Sequence, residues 1–471
     1  MTGKPELWLA LISATSLLLS TNCSRNEIAE SGTSESKSRS LSFWIWNRQT
    51  PLSAKEIKSL EQASVARLYW QLGELSVLNG TIETISRFKI PDSTGGIQVV
   101  PVIRIASSVA SPENLDASKL AVWAREAGVS STVQFDYDCP NRLLPEYGQL
   151  LRGFRNAFGP IELSITALGD WCYADGWTAV EGEIDSAFPM LYDIFPERDQ
   201  KQSTLDPRPL VEVPQLEKLL AEWNQKVNIP WEVGLPNFRR LTIFRDGTSN
   251  GHIRDWSRED LLGNPDLSLT GQTEPGVFLF QVARPTRVGE FAIEPDTRLC
   301  LRECDRTQLR KAIELTHGTS ARGVCWFQMP RTGLASGGWS LREIANGFEG
   351  QPQLALEIRD QFLIAKNTGT SDLSPGWESG TKISLRWNGT ALREYIPGDL
   401  DVPSFQRGEQ DVPLFAATGM TFPISNIPAG ESRSSGLILF RDPKISLALE
   451  YRIGEDSWTP LPFSTCPTTA P

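Results

Sequence analysis

The sequence of 471 residues contains only two histidines, His252 and His317. Neither sits in ligand spacing with a pair of cysteines, which argues against a zinc site. Basic clusters are also missing. The formal net charge is −11, and no stretch concentrates Lys and Arg as nucleic-acid binding requires. No Gly-rich phosphate loop follows the first strand-like segment, so a dinucleotide-binding fold is disfavoured. No metal and no cofactor are expected. The N-terminal apolar run, from Leu7 to Leu19, is too short and too interrupted by Ser and Thr for a membrane span. Hydrophobic and charged contents of 40% and 22% are those of a globular chain, and the length leaves room for more than one domain.

That apolar run follows Lys4 and leads into Ser20-Thr21-Asn22-Cys23, the layout of a secretory signal over residues 1–23. A cysteine placed there resembles a bacterial lipoprotein signal, which implies lipidation of Cys23. Asn22 and Leu19 depart from the usual pattern, and ordinary cleavage or an uncleaved anchor are the alternatives. Residues 24–40 are rich in Ser, Glu, Lys and Arg with no apolar period and read as a flexible tether. The expected address is the periplasm or cell envelope, with membrane contact only through the lipid anchor. Six cysteines remain in an oxidising compartment. Fifteen full pairings are open to them; Cys139 with Cys172 and Cys300 with Cys304 are the preferred pairs, and Cys325 reads as a buried thiol.

From residue 41, short apolar runs recur: Leu41–Trp46, Val65–Leu75, Ile97–Ile105, Ser131–Asp138, Ile161–Leu168, Ile184–Tyr192, Trp231–Phe238 and Gly323–Met329. Amphipathic stretches separate most of them, such as Ser53–Ala63, Pro112–Ala127, Leu144–Phe158, Pro214–Lys226 and Thr307–Thr316. Strands alternating with helices imply a parallel sheet, and eight of them fit a (β/α)8 TIM-type barrel over residues 41–350. Residues 239–322 carry strand-like pieces of their own, Gly276–Ala283 and Glu290–Ile293, and read as an insertion at the barrel mouth. After Gly350 the pattern turns to strands separated by turn residues. An immunoglobulin-like β-sandwich is expected for residues 351–471.

The most informative segment is Val133–Asn141. Strand side chains alternate, so Gln134, Asp136 and Asp138 project on one face. Burying two carboxylates there loses stability unless they are paired or used. Barrel active sites lie at the carboxyl ends of the strands. The residues expected there are Trp44 and Trp46, Trp70 and Glu74, Arg104, the three of strand four, Asp170 and Trp171, Met190, Tyr192 and Asp193, Asn237, then Trp326 and Gln328. Aromatic planes beside carboxylates suit sugars, so a carbohydrate is the expected partner. Two acids one residue apart on a strand have Cα atoms about 6.5 Å apart. In a partly desolvated pocket one should hold a proton beside an ionised partner, the division of labour that glycoside cleavage needs. Asp138, nearer the mouth, is the expected acid and Asp136 its partner. Each also has a plainer reading: a structural network for the acids, neutralisation for Arg104, core packing for any single Trp.

Phe43–Arg48, Leu68–Glu74, Gln134–Pro140 with Leu163–Leu168, and Pro189–Tyr192 together resemble the bacterial family called domain of unknown function 3142. This resemblance implies a glycosidase-like barrel and no assigned activity. Val133–Asp138 is similar, more distantly, to the fourth-strand motif of family 18 glycoside hydrolases, and Met190-Leu191-Tyr192-Asp193 to their sixth-strand motif. That likeness implies an acid at Asp138, its partner at Asp136, an assisting hydroxyl at Tyr192 and a pocket-floor ring at Trp326. Two departures stand out: Asp138 is one methylene shorter than the family's Glu, and Gln134 replaces its first acid. Three functions follow: a glycan hydrolase, a lipid-anchored protein that binds glycan without cutting it, and a metal-dependent hydrolase using Asp136, Asp138 and Glu74. Oligomeric state is not legible.

Overall fold

In the computed structural model, the described residues are 39–465 apart from 79, 92, 196–206, 246–247, 254–255, 257, 296, 331–337, 374–380, 390–391, 401, 425, 442–444, 454–456 and 462–463. The signal, Cys23 and most of the tether lie outside them. No helix among them is long and apolar enough to cross a membrane.

Eight parallel strands close on themselves: Ser40–Ile45, Val65–Leu78, Gln98–Ile105, Thr132–Asp136, Glu162–Leu168, Ser186–Met190, Val233–Pro236 and Gly323–Phe327. Each pairs with the next, and the first pairs with both the second and the last. This is the TIM-type barrel expected. The run of strands alternates with helices because the intervening sequences carry apolar residues at helical spacing; Leu144–Phe158 buries Leu144, Tyr147, Leu150, Leu151 and Phe154 on one side. The helix Ala54–Gln62 starts at a capping box, in which Ser53 accepts from the Glu56 amide and Glu56 accepts from the Ser53 amide. The principal core lies between sheet and helices, and a smaller cluster of Trp44, Tyr69, Val100, Val102, Phe188 and Cys325 fills the barrel itself.

Strand two runs past the barrel wall and pairs antiparallel with Thr81–Arg87. Between strands seven and eight the chain forms a five-stranded antiparallel sheet with a core of its own, built from Leu241, Ile243, Phe278, Phe280, Leu299 and Leu301 among others. After the barrel come two antiparallel sheets around a shared apolar core. They join the barrel through buried polar groups. Arg306 donates to Glu343 Oε1 (2.8 Å) and to Gly350 O (2.7 Å), while Glu343 Oε2 accepts from the Asp372 amide (2.7 Å). Residues 39–471 form one compact unit.

Candidate active site at the barrel mouth

The site is built on strands three, four and five. Arg104 and Asp136 lie side by side in register, so their side chains share the barrel's inner face. The Arg104 guanidinium forks between two carboxylates: Nη1 donates to Asp136 Oδ2 (2.6 Å) and Nη2 to Asp138 Oδ2 (2.9 Å). Thr166 of strand five donates its hydroxyl proton to Asp136 Oδ1 (2.7 Å). Beneath them, Gln134 Oε1 accepts from the Trp44 indole (2.7 Å), and Gln134 Nε2 is buried without a partner. Tyr137, the residue between the acids, points the other way and donates to Val109 O (2.9 Å).

The two acids live in different surroundings. Asp136 has 5% of its side chain exposed and Asp138 has 38%. Burial raises Asp136 above the usual carboxylate range, against the pull of Arg104, and the neighbouring charge of Asp138 adds to the rise. Desolvation alone would lower Arg104, but Asp136 and Asp138 outweigh it and hold the guanidinium cationic. Asp138 Oδ1 makes no hydrogen bond within the described residues. The result is a buried Asp136 whose proton is harder to lose than usual and an oxygen of Asp138 open to the mouth.

Tyr192 faces this pair. Its hydroxyl is raised well above its ordinary value, first by burial and then by the charges of Asp136 and Asp138. Its ring stacks on Phe327 (6.3 Å between centroids, 12° between planes) and meets Phe238 edge-on. Trp46 packs edge-on against Phe327 at 5.7 Å, so Trp46, Phe327 and Tyr192 form an aromatic wall beside the acids. Glu74 reaches the inner face by an irregularity. A bulge between Gln71 and Gly73 resets the alternation, and Glu74 falls in register with Arg104.

Other expected residues sit elsewhere. Trp70 and Trp326 are 1% exposed and Trp171 is 0% exposed, all within the layer between sheet and helices; Trp326 packs on Phe348 and Trp171 on Tyr147. The strands of Trp70 and Trp326 turn Tyr69 and Phe327 inward instead, and Trp171 sits in the short helix after strand five. These three indoles therefore pack in the core rather than facing the mouth. Asn237 is buried, with both amide protons committed to Gln328 O (3.0 Å) and Trp339 O (3.2 Å) and its oxygen accepting from the Trp339 amide (2.7 Å). It fastens two loops rather than offering itself to a ligand. Gln328 is half-buried at the end of strand eight. Asp193, at φ 50°, pairs with Arg240 and Arg302 of the insertion. Asp170 accepts from Asn141 (2.9 Å), tying the loops after strands four and five.

The expected pairs are not joined as disulfides: Cys139, Cys172 and Cys304 are buried thiols, and Cys300 is buried as well. Cys139 directs its thiol to Pro140 O and Leu143 O, and Cys172 to Gly169 O, each within its own loop. Cys300 lies in the strand Arg298–Arg302. Cys304 lies beyond the end of that strand and directs its thiol to Phe238 O and Pro236 O. Burial pushes the Cys139, Cys172 and Cys304 thiols up to about 12, so none of these is a thiolate nucleophile near neutral pH.

Thr166 and Phe327 were not singled out from sequence. The signal that finds them is the alternation already used for Asp136, continued along strands five and eight.

Among solved structures, this chain is similar to the spore cortex-lytic enzyme SleL of Bacillus megaterium QM B1551 (11% identity, 66% of this chain and 72% of that one, TM-score 0.43). It is also similar to a family 18 N-acetylglucosaminidase from Paenibacillus barengoltzii (14%, 66% and 99%, TM-score 0.41) and to a class V chitinase from Nicotiana tobaccum (10%, 66% and 99%, TM-score 0.40). No curated protein matches the sequence. Residues 96–254, which hold Arg104, Asp136, Asp138, Thr166 and Tyr192, match the family model described as Domain of unknown function (DUF3142).

Proposed function

We propose that this protein is a glycoside hydrolase acting on a glycan outside the cytoplasm, with Asp138 as general acid. The observation that carries the reading is the pair of carboxyls on one guanidinium, one buried with a raised pKa and one open to the mouth. Two acids pushed into unlike environments are the arrangement that divides acid and base roles. Asp138 Oδ1 is the atom from which a proton would pass to the glycosidic oxygen. Arg104 Nη2, already on Oδ2, would stabilise the carboxylate left behind, and the water that replaces the leaving group would return a proton to it. Tyr192 would meet the substrate from the opposite side, and the faces of Trp46 and Phe327 suit a sugar ring.

A second reading has its own support. Arg104 holds Asp138 in a direct ion pair, an arrangement that serves hydroxyl binding without cleavage equally well. Incubating wild type and Asp138→Asn with a glycan panel separates the two. Release of reducing ends by wild type alone supports hydrolysis; equal binding without cutting by either supports the second reading. The metal-dependent reading fares worse, because the Arg104 guanidinium occupies the space between the acids that would ligate a cation. Activity that persists after thorough chelation would exclude it.

Export, with Cys23 lipidated, remains part of the proposal, and membrane release of a Cys23→Ala variant would support it. So does an immunoglobulin-like character for residues 351–471, which would position the barrel against substrate.

A further inference from the structure

At the opposite end of the barrel from the acids lies a cavity of about 350 Å³, lined by Arg67, Glu162, Asp185, Ser186, Glu232 and Arg322 with Phe188 and Trp231 as its apolar parts. All of these residues stand at or near the amino ends of barrel strands. The volume falls within the range of small-ligand pockets, roughly 300–1,000 Å³.

Polar groups in it are left over. Glu232 is 6% exposed and its Oε2 has no hydrogen-bond partner, nor has the Ser186 hydroxyl. The Ser42 hydroxyl is near enough to Glu232 to favour its charge but makes no bond of good geometry. Buried polar atoms without partners are rare in folded proteins and point to something that completes them.

The charges narrow the class of ligand. Glu162 pairs with Arg67 at 3.6 Å, and Asp185 is taken by Arg155 (2.5 Å) and by the Leu163 amide (2.7 Å). Burial raises Glu232 towards its neutral form, against Ser40, Arg67, Ser42 and Arg322. In formal charge, Arg67, Arg155 and Arg322 stand against Glu162, Asp185 and Glu232, so the field inside is close to balanced and favours neither an anion nor a cation. What remains is a set of unmet hydrogen-bonding groups beside two aromatic rings. We infer that this cavity is a second binding site for a neutral, hydroxyl-rich ligand of about monosaccharide size, held by Glu232 and Ser186.

The site is independent of the acids at the mouth, and so is its test. Ligand-detected NMR with the full-length protein would use glucose, galactose and N-acetylglucosamine, with glucuronate and glucosamine as charged counterparts. The expected result is binding of at least one neutral sugar that is weakened up to about tenfold by Ser186→Ala, the cost of one lost hydrogen bond, and that persists in Asp138→Asn. Glu232→Gln, which keeps shape but swaps an acceptor for a donor, should weaken it too. The inference is overturned if no neutral sugar binds or if the charged counterparts bind better. It is also overturned if Asp138→Asn removes binding while Ser186→Ala does not, which would place the sugar at the mouth. Failure here would leave the hydrolase reading intact, because reducing-end release depends on the other end of the barrel.

Discussion

Arg104 is the residue on which the mouth depends. Its guanidinium is the counter-charge for a carboxylate with 5% of its side chain exposed. Removing it leaves Asp136 buried without its ion-pair partner, and breaking such a pair costs about 3–5 kcal/mol. Arg104 itself keeps 24% of its side chain exposed, which places Arg104→Gln near the lower figure, roughly 3 kcal/mol. Chemical denaturation would measure it, and a loss well under about 1 kcal/mol, the scale of a surface pair, would mean that Asp136 does not rely on Arg104. Thr166→Val should cost less, roughly 1 kcal/mol, since one neutral donor is lost while the ion pair stays. At this scale the sequence was legible wherever alternation was followed strictly. Gln134, Asp136 and Asp138 lie as the period of two requires, and Trp44 and Arg104 meet them. Legibility failed where residue type was allowed to decide. In Tyr69-Trp70-Gln71 and Cys325-Trp326-Phe327 the indole attracted attention, yet parity turns Tyr69 and Phe327 inward. Glu74 reached the inner face for a reason no alternation contains, the bulge after Gln71.

Among elements, the sheet inserted between strands seven and eight is tied to the mouth by a carboxylate that pairs with two of its arginines. Asp193 directly follows Tyr192 and pairs with Arg240 and with Arg302, whose side chain is 1% exposed. Both arginines sit on strands of the five-stranded sheet, Arg240–Arg245 and Arg298–Arg302, so Asp193 links the aromatic wall to that sheet. Asp193→Ala should leave the Arg302 charge buried without this partner and cost about 3–5 kcal/mol. Hydrogen exchange is the discriminating measurement. Faster exchange confined to the two arginine-bearing strands is expected, whereas protection unchanged there would show that the sheet is fixed by its own core. All eight barrel strands were visible as apolar runs because a strand buried on both faces has little room for polar residues. The strands Thr248–Ile253 and Leu267–Glu274 were not, because their sequences, TSNGHI and LSLTGQTE, are largely polar and belong to partly solvated sheets. The hairpin strand Thr81–Arg87, exposed along most of its length, escaped for the same reason.

Across the whole molecule, buried carboxyls set how stability answers to pH. Burial raises Asp136, Glu232 and Asp372, in three separate places. For Asp372 that effect outweighs the hydrogen bonds from Ser340 and from the Ala429 amide. A carboxyl with a raised folded pKa binds its proton more tightly in the native state than in the unfolded one. Its contribution is therefore complete below the unfolded value, near pH 4, and is lost as pH rises through the folded value. Glu56 works in the opposite sense. Burial would raise it, but Arg48 and Ser53 prevail and lower it, so its contribution is present above the unfolded value and fades in more acid solution. His317, which burial lowers, also opposes the decline as pH approaches its unfolded value near 6.5. Three carboxyls against these two groups predict that stability declines from about pH 5 towards neutrality, by up to about 1.4 kcal/mol per pH unit for each proton retained only by the native state. Denaturation midpoints across that interval would test it. Asp372 also joins the barrel to the C-terminal antiparallel sheets through Ser340 and the Glu343 network, so Asp372→Asn should lower stability outright, since an amide accepts at one position where the carboxylate accepts at two. The slope is the sharper readout: it should flatten in the variant by the share of one proton. Stability that rises steadily with pH, or an Asp372→Asn slope equal to wild type, would mean that these carboxyls are ionised in the folded protein throughout.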